Sequence, residues 1–100
     1  MADVDFQQLS TVQNLGMPKP TTVAATTTIA PTTFLTFVTG STAVTTITPF
    51  VTGSHMLMFV FTATNGSITT AGNIANALSP AQNVPVVAVF DPNSAKYYVK

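Results

Sequence analysis

The chain has 100 residues, of which 46% are hydrophobic and only six are charged, and its formal net charge is zero. A monomer of this length covers only about two-thirds of the surface that its unfolded form exposes, so the surplus of apolar residues predicts self-association. No Asp, Glu, Lys or Arg occurs between residues 20 and 90, which leaves no cluster of cations for phosphates and excludes nucleic acid as an expected partner. Disulfide and thiolate chemistry are excluded because the chain has no cysteine.

The first residues are acidic and contain no apolar core of a secretory signal. The longest purely apolar run, at residues 56–61, is far shorter than the roughly 18 residues that a membrane helix requires. We therefore expect a protein that is made and assembled in a cytoplasm, with no membrane partner.

Residues 1–31 differ in composition from the rest and are predicted to form an extended N-terminal arm. Two prolines, Pro18 and Pro20, interrupt this segment, and a low-complexity run of Thr and Ala follows them. Within the arm, apolar residues recur at the spacing of a short helix over residues 4–15, at Phe6, Leu9 and Val12. A disordered tail is the alternative.

Residues 32–100 are predicted to form a β domain, because β-branched and aromatic residues dominate this part of the chain. The pentapeptide Phe-Val-Thr-Gly-Ser occurs twice, at residues 37–41 and 50–54, and a third Gly-Ser pair follows after the same interval. Glycine supplies the positive φ that a tight turn needs. We therefore expect chain reversals with positive φ at Gly40, Gly53 and Gly66.

The turns separate about six short strands, and the segment at residues 71–80 is expected to be a loop with a helical turn. The strands are predicted at residues 33–39, 42–48, 55–62, 67–70, 86–90 and 96–99. Such strands form a compact sandwich, a small barrel or a few coils of a β-helix. The sequence leaves these three architectures open.

The strand predicted at residues 55–62 is apolar on both faces, since Met56, Met58 and Val60 alternate with Leu57, Phe59 and Phe61. A small monomer has little material to cover both faces. A homotrimer has enough material to cover both, because one face packs within the subunit and the other packs against a neighbour. The residues predicted to fill the core or the trimer contact are Phe34, Phe37, Phe50, Phe59 and Phe61.

No group of residues has the composition of a catalytic, cofactor or metal site, so we do not expect an enzyme. The single histidine, His55, lacks the partners that catalysis or metal binding requires within one subunit, although three copies on a threefold axis are a conceivable metal site. Asp91 is expected to cap its own turn. Irregularly spaced Thr-x-Thr pairs argue against an ice-binding face, and Tyr97 and Tyr98 leave a glycan-binding tip as an alternative.

Four short motifs stand out in the β domain: the repeated Phe-Val-Thr-Gly-Ser, Val-Thr-Thr-Ile-Thr-Pro at residues 44–49, Ala-Gly-Asn-Ile-Ala at residues 71–75, and Val-Phe-Asp-Pro at residues 89–92 followed by Lys-Tyr-Tyr. In this order they resemble segments of small virion proteins and fibre tips of tailed bacteriophages. The resemblance covers residues 33–99, and the ending departs from it by carrying Tyr97-Tyr98 where a Trp-Tyr pair is common. It implies a trimeric β structure and, at this size, a capsid decoration (cement) protein.

These observations predict a homotrimer that binds the major capsid protein and reinforces the surface of a phage head. The arm is expected to lie across neighbouring shell subunits, with apolar anchors at Phe6, Leu9, Leu15 and Met17. The alternative is a receptor-binding or structural module of a phage tail fibre.

Overall fold

A computed structural model describes residues 19–100 of the chain, which form seven strands and no helix. The prediction of an all-β fold is therefore confirmed, and the absence of a helical turn at residues 71–80 differs from the expectation. The strands are β1 (Thr21–Ala24), β2 (Thr28–Ile29), β3 (Leu35–Thr39), β4 (Thr46–Ile47), β5 (His55–Phe61), β6 (Pro85–Asp91) and β7 (Lys96–Val99).

The strands form a five-stranded sheet in the order β1-β3-β5-β6-β7 and a two-stranded sheet that pairs β2 with β4. Strands β1, β3 and β5 are parallel, as are β2 and β4, whereas β6 and β7 are added antiparallel. The chain therefore winds through both sheets in successive coils, as in a short β-helix. The first coil holds β1 and β2, the second holds β3 and β4, and the third begins with β5.

Successive coils differ in length because the connecting loops differ. Thr21 in β1 pairs with Thr36 in β3, whereas Thr28 in β2 pairs with the more distant Thr46 in β4. The separation along the chain is longer still between β3 and β5, where Leu35 pairs with Met58. All three separations exceed the distance between the two copies of the turn motif, so that repeat does not mark the coils.

The hydrophobic core lies between the inner face of the five-stranded sheet and the shorter strands. A third row of backbone contacts joins Val44 to Ile68 and Ile68 to Leu78. Because each coil points alternate side chains inward, apolar residues of all coils stack in the interior. The most deeply buried residues are Pro31, Val38, Val44, Ile47, Leu57, Phe59, Phe61, Ile68, Ile74, Ala88 and Tyr97, together with the polar Thr36.

The outer edge of β7 is covered by the loop at residues 73–76. Tyr97 N–H donates to Asn73 O at 2.8 Å, and Ala75 N–H donates to Tyr97 O at 2.7 Å. The amide of Asn76 then accepts from Val99 N–H at 2.9 Å and donates to Val99 O at 2.7 Å. This edge is therefore not free to pair with another strand.

The same loop also covers β4. The Asn73 side chain accepts a hydrogen bond from Ile47 N–H at 2.9 Å and donates one to Ile47 O at 2.7 Å. An amide side chain has both an acceptor oxygen and a donor NH₂ group, so it reproduces the pairing that a neighbouring strand would make. Asn73 and Asn76 were not singled out in the sequence, where an Asn in a loop indicates only a turn.

The boundary between arm and β domain lies earlier than residue 31. Residues 21–29 were assigned to the arm on composition, but they form β1 and β2 and pair with β3 and β4. The β-branched Thr, Val and Ile residues of this run favour a strand once a neighbouring strand is present. The strand expected at residues 42–48 is reduced to β4 and an isolated bridge at Val44. The helix expected over residues 4–15 lies outside the described residues.

The three predicted turn glycines do not serve the same purpose. Gly40 and Gly53 have φ of 84° and 76°, in the region that favours glycine. Gly66 does not have positive φ, contrary to the expectation. It is instead limited by space, because a Cβ at this position would lie 2.9 Å from Cδ2 of Phe61.

Candidate interaction face

The outward-pointing residues of the five-stranded sheet form a largely apolar surface, which we call the outer face. In β5, Leu57, Phe59 and Phe61 are buried, so Met56, Met58 and Val60 point to the opposite side. Met56 is 58% exposed. The strand is thus apolar on both faces, but within residues 19–100 only one of them is buried.

Strand register extends this apolar surface across β6 and β7. Met56 pairs with Val89, and Val89 pairs with Tyr98. Val89 is 44% exposed and Tyr98 is 48% exposed. A row of three large, half-exposed apolar side chains therefore crosses three strands.

Two further rows lie beside the first, because Met58 pairs with both Leu35 and Val87, and Val60 pairs with both Phe37 and Pro85. These neighbours belong to the same face, since paired residues of adjacent strands point to the same side of a sheet. The outer face therefore consists of Leu35, Phe37, Met56, Met58, Val60, Pro85, Val87, Val89 and Tyr98. No member of this set is charged.

Polar residues lie at the rim of the outer face. Asp91 and Lys96 are paired across β6 and β7, and strand alternation places both on the outer side, along the β7 edge. At the opposite edge the polar residues are Thr22, which pairs with Phe37, and Thr39, which pairs with Ala24. An apolar centre containing Met, Phe and Tyr within a polar rim is the usual anatomy of a protein–protein interface.

His55 belongs to an aromatic cluster at the other side of the same sheet. Its ring stacks on Phe90 at a centroid distance of 5.0 Å and meets the edge of Tyr97 at 5.5 Å. Its Nδ1 lies 2.8 Å from Gly53 O, and a carbonyl can only accept, so Nδ1 carries the proton. Nε2 of the neutral ring then accepts a hydrogen bond from the Tyr97 hydroxyl at 2.7 Å.

Tyr97 is fully buried, and burial raises the pKa of its hydroxyl from the usual 10 to about 12. The hydroxyl therefore stays protonated and remains a donor to His55 across the physiological range. The cluster joins the turn at Gly53 to β7, which is a structural role. Nothing in this geometry activates a nucleophile or frees the imidazole to transfer a proton.

Other candidate chemical groups are engaged in local structure. Asp91 accepts hydrogen bonds from Asn93 N–H and from the Ser94 hydroxyl, both at 3.0 Å, and so caps its own turn. Residues 19–100 contain no group of three or more His, Cys, Asp or Glu side chains that could hold a metal ion. This part of the chain also has no helix long and apolar enough to cross a membrane.

The predicted core and interface aromatics occupy three different environments. Phe59 and Phe61 are buried in the core. Phe34 and Phe50 pack against each other at 5.2 Å, with Phe34 still 37% exposed. Phe37 belongs to the outer face. The predicted arm anchors, Phe6, Leu9, Leu15 and Met17, lie outside the described residues.

The contributions of β6 and β7 to the outer face were not predicted from the sequence. Alternation within residues 86–90 separates Val87 and Val89 from the buried Val86 and Ala88, but all four are apolar and their sides cannot be told apart by polarity. Only the register with Met56 identifies the exposed set.

We found no match to the chain among family models, curated proteins or solved structures. The function proposed below therefore rests on the outer face and on the resemblance of short motifs.

Proposed function

We propose that the chain is a structural virion protein that assembles through its outer face into a homotrimer and decorates the head of a tailed bacteriophage. The observation that carries the proposal is the row Met56, Val89 and Tyr98, three large apolar side chains that are each 44–58% exposed in a charge-free surface. Water contact with such a surface is unfavourable. Association with a second apolar surface removes this cost.

The size of the outer face favours a trimer over a simple pair. Four strands about 4.8 Å apart and about five residues long cover roughly 330 Å², so two faces in contact bury about 650 Å² in projection. Stable pairwise interfaces bury about 1,200–2,000 Å². In a closed ring of three, each chain contacts two neighbours, so a second surface of the chain can be buried in addition to the outer face.

The proposed setting is the capsid surface, with the major capsid protein as second partner. The near absence of charge suits a contact in which neutral, apolar and hydrogen-bonding surfaces meet, and the contact should depend only weakly on salt. Reinforcement of the capsid shell by such contacts is mechanical and requires no catalytic group. The resemblance of short motifs to segments of small phage virion proteins supports this setting.

A module of a phage tail fibre is the second candidate, and one observation favours it. Strands β1, β3 and β5 stack in parallel coils, an arrangement that can continue along an axis as fibres do. Copy number distinguishes the two settings. Quantitative mass spectrometry of purified virions should find hundreds of copies for a shell protein, whereas a few dozen or fewer would contradict the capsid proposal and favour the tail.

Self-association is tested on the purified full chain. Sedimentation and light scattering should give three times the chain mass of 10.4 kDa. Met56→Glu places a charge at the most exposed position of the outer face and should shift the protein to monomer, while Thr64→Glu adds the same charge at a loop position and should leave the trimer intact. A monomeric wild-type protein at micromolar concentration, or a trimer unaffected by Met56→Glu, would contradict the proposal.

A further inference from the structure

Asn65 is the only asparagine of the chain that is followed by glycine. The other asparagines precede Leu, Ile, Ala, Val and Ser. Glycine has no Cβ, so no side chain of the next residue stands between its backbone nitrogen and the asparagine carboxamide. The Asn65–Gly66 pair therefore brings a carbonyl carbon, Cγ of Asn65, within reach of an unshielded nitrogen.

The fold presents Asn65 in a turn that follows β5, with its side chain exposed. Hydrogen bonds hold the chain on both sides of this turn. Thr62 N–H donates to Val38 O at 2.9 Å, and Ser67 O accepts from Val44 N–H at 3.0 Å. The middle of the turn can therefore rearrange by a local motion that leaves the sheet intact.

Two other asparagines are prevented from turning toward the next residue. The carboxamide of Asn73 is bonded through both its oxygen and its nitrogen to the backbone of Ile47. The carboxamide of Asn76 is bonded in the same way to the backbone of Val99. Both side chains are therefore fixed by the strands that they cover.

Asn83 and Asn93 are exposed, like Asn65, but neither is followed by glycine. The next residues, Val84 and Ser94, each carry a Cβ beside the backbone nitrogen, and the side chain of valine is also β-branched. These two asparagines share the solvent access of Asn65 and lack its neighbour, so they serve as internal references.

We propose that Asn65 is a site of spontaneous deamidation through a cyclic imide formed with Gly66. The Gly66 nitrogen attacks Cγ of Asn65, an N–Cγ bond forms, the Cγ–Nδ2 bond breaks, and Nδ2 leaves as ammonia with the proton of the Gly66 nitrogen. Water then opens the imide. Cleavage of the new bond gives aspartate, whereas cleavage of the original peptide bond gives isoaspartate, with the main chain running through Cγ.

The attack is intramolecular and needs no enzyme, because the chain already holds the two groups together. Water is the only co-reactant, and it reaches the imide because Asn65 is exposed. Both products carry a new carboxylate. Residues 20–90 contain no Asp or Glu, so the reaction introduces the only acidic group of this stretch. This assignment goes beyond the proposed function and does not depend on it.

The isoaspartyl product also lengthens the main chain by one carbon atom just before Gly66. Gly66 is buried, and a Cβ at this position would lie 2.9 Å from Cδ2 of Phe61. The longer main chain therefore has to displace Gly66 from Phe61 or pull on the hydrogen bond between Ser67 and Val44. We expect isoaspartate at residue 65 to loosen the structure around the turn, whereas aspartate at the same position should not.

The site is tested by incubating the full chain in warm, mildly alkaline buffer. Samples are digested with pepsin at acidic pH, which halts the reaction, and are then analysed by mass spectrometry. Asn65 should convert at least tenfold faster than Asn83 and Asn93. Asn65→Gln should abolish conversion at this site, because its longer side chain has to close a larger ring. The same chain unfolded in urea provides a reference rate.

Equal conversion rates at the three exposed asparagines would overturn the assignment. An intact Asn65 in the folded protein, at the time when the unfolded reference has converted completely, would overturn it as well.

Hydrogen exchange separates the effects of the two products. The chromatographically purified isoaspartyl protein is compared with the Asn65→Asp variant, which carries the same charge on an unaltered main chain. Val44 N–H should exchange at least tenfold faster in the isoaspartyl protein, and within twofold of the wild-type rate in Asn65→Asp. Tyr97 N–H should stay protected in both proteins and controls for global folding. Equal Val44 exchange in the two proteins would overturn the role assigned to the packing of Gly66.

Discussion

The hydrogen bond between Tyr97 and His55 gives the sharpest test of how this fold is held together. Its two partners differ in environment, because the Tyr97 side chain is fully buried whereas His55 is half-buried. In Tyr97→Phe, water can replace the lost donor at His55, so the free energy of unfolding should fall by about 1 kcal/mol. In His55→Ala, the hydroxyl loses its partner and the ring contacts with Phe90 and Tyr97 are lost, so the fall should be about 2–4 kcal/mol.

The double variant separates these effects. Once His55 is absent, Tyr97→Phe removes an unsatisfied buried hydroxyl, so in that background it should be neutral or stabilising. The free energies are measured by urea unfolding at one protein concentration, because self-association contributes to the apparent stability. If Tyr97→Phe costs the same with and without His55, to within about 0.3–0.5 kcal/mol, the two groups are not coupled and our description of the cluster is wrong.

Three further predictions concern a close contact, a strand edge and a buried hydroxyl. Gly72→Ala should destabilise the protein by about 2–3 kcal/mol, because its Cβ would overlap Thr46 and the backbone just before β4. Gly53→Ala should cost only about 1 kcal/mol, because the space around Gly53 is open and only its positive φ opposes a side chain. Equal thermal unfolding of the two variants would contradict this. Asn76→Ala should cost about 1–3 kcal/mol and accelerate exchange of the Val99 amide, since both hydrogen bonds to Val99 disappear; an unchanged exchange rate would show that the amide does not cover β7. The pKa of Tyr97 is raised from 10 to about 12 in the folded state. The resulting contribution of Tyr97 to the free energy of unfolding is therefore complete below pH 10 and is lost as the pH rises from 10 to about 12. Tyr97→Phe should therefore lose less stability than the wild type over that window, and parallel losses would argue against a raised pKa.

The repeated pentapeptide shows how far local sequence reaches in this chain. Its first copy ends β3, with residues 37–39 in the strand, whereas residues 50–53 of its second copy form a loop before β5. Both copies nevertheless place glycine at positive φ. The turn at glycine is a local property of the backbone, but strand formation requires a partner strand, and the two copies do not have equivalent partners.

The outer face was predictable in part. Alternation in residues 55–61 separates two apolar sets, and composition indicates that one chain cannot cover both. Which set is buried, and which residues of β6 and β7 join the exposed one, depend on register. Val86 and Val89 are chemically identical, yet Val86 is buried and Val89 is 44% exposed.

The amino-acid sequence by itself determined the all-β character, the positive-φ turns at Gly40 and Gly53 and the scarcity of charged groups, because propensity, backbone sterics and composition act within a few residues. Only the tertiary structure decided that β1, β3 and β5 run parallel in coils, that residues 21–29 belong to the sheets, and that two asparagine amides cover strand edges. These features join residues that are far apart along the chain, such as Thr21 with Thr36 and Ile47 with Asn73. Contacts at such separations are selected by the packing of the whole core, which no local pattern encodes.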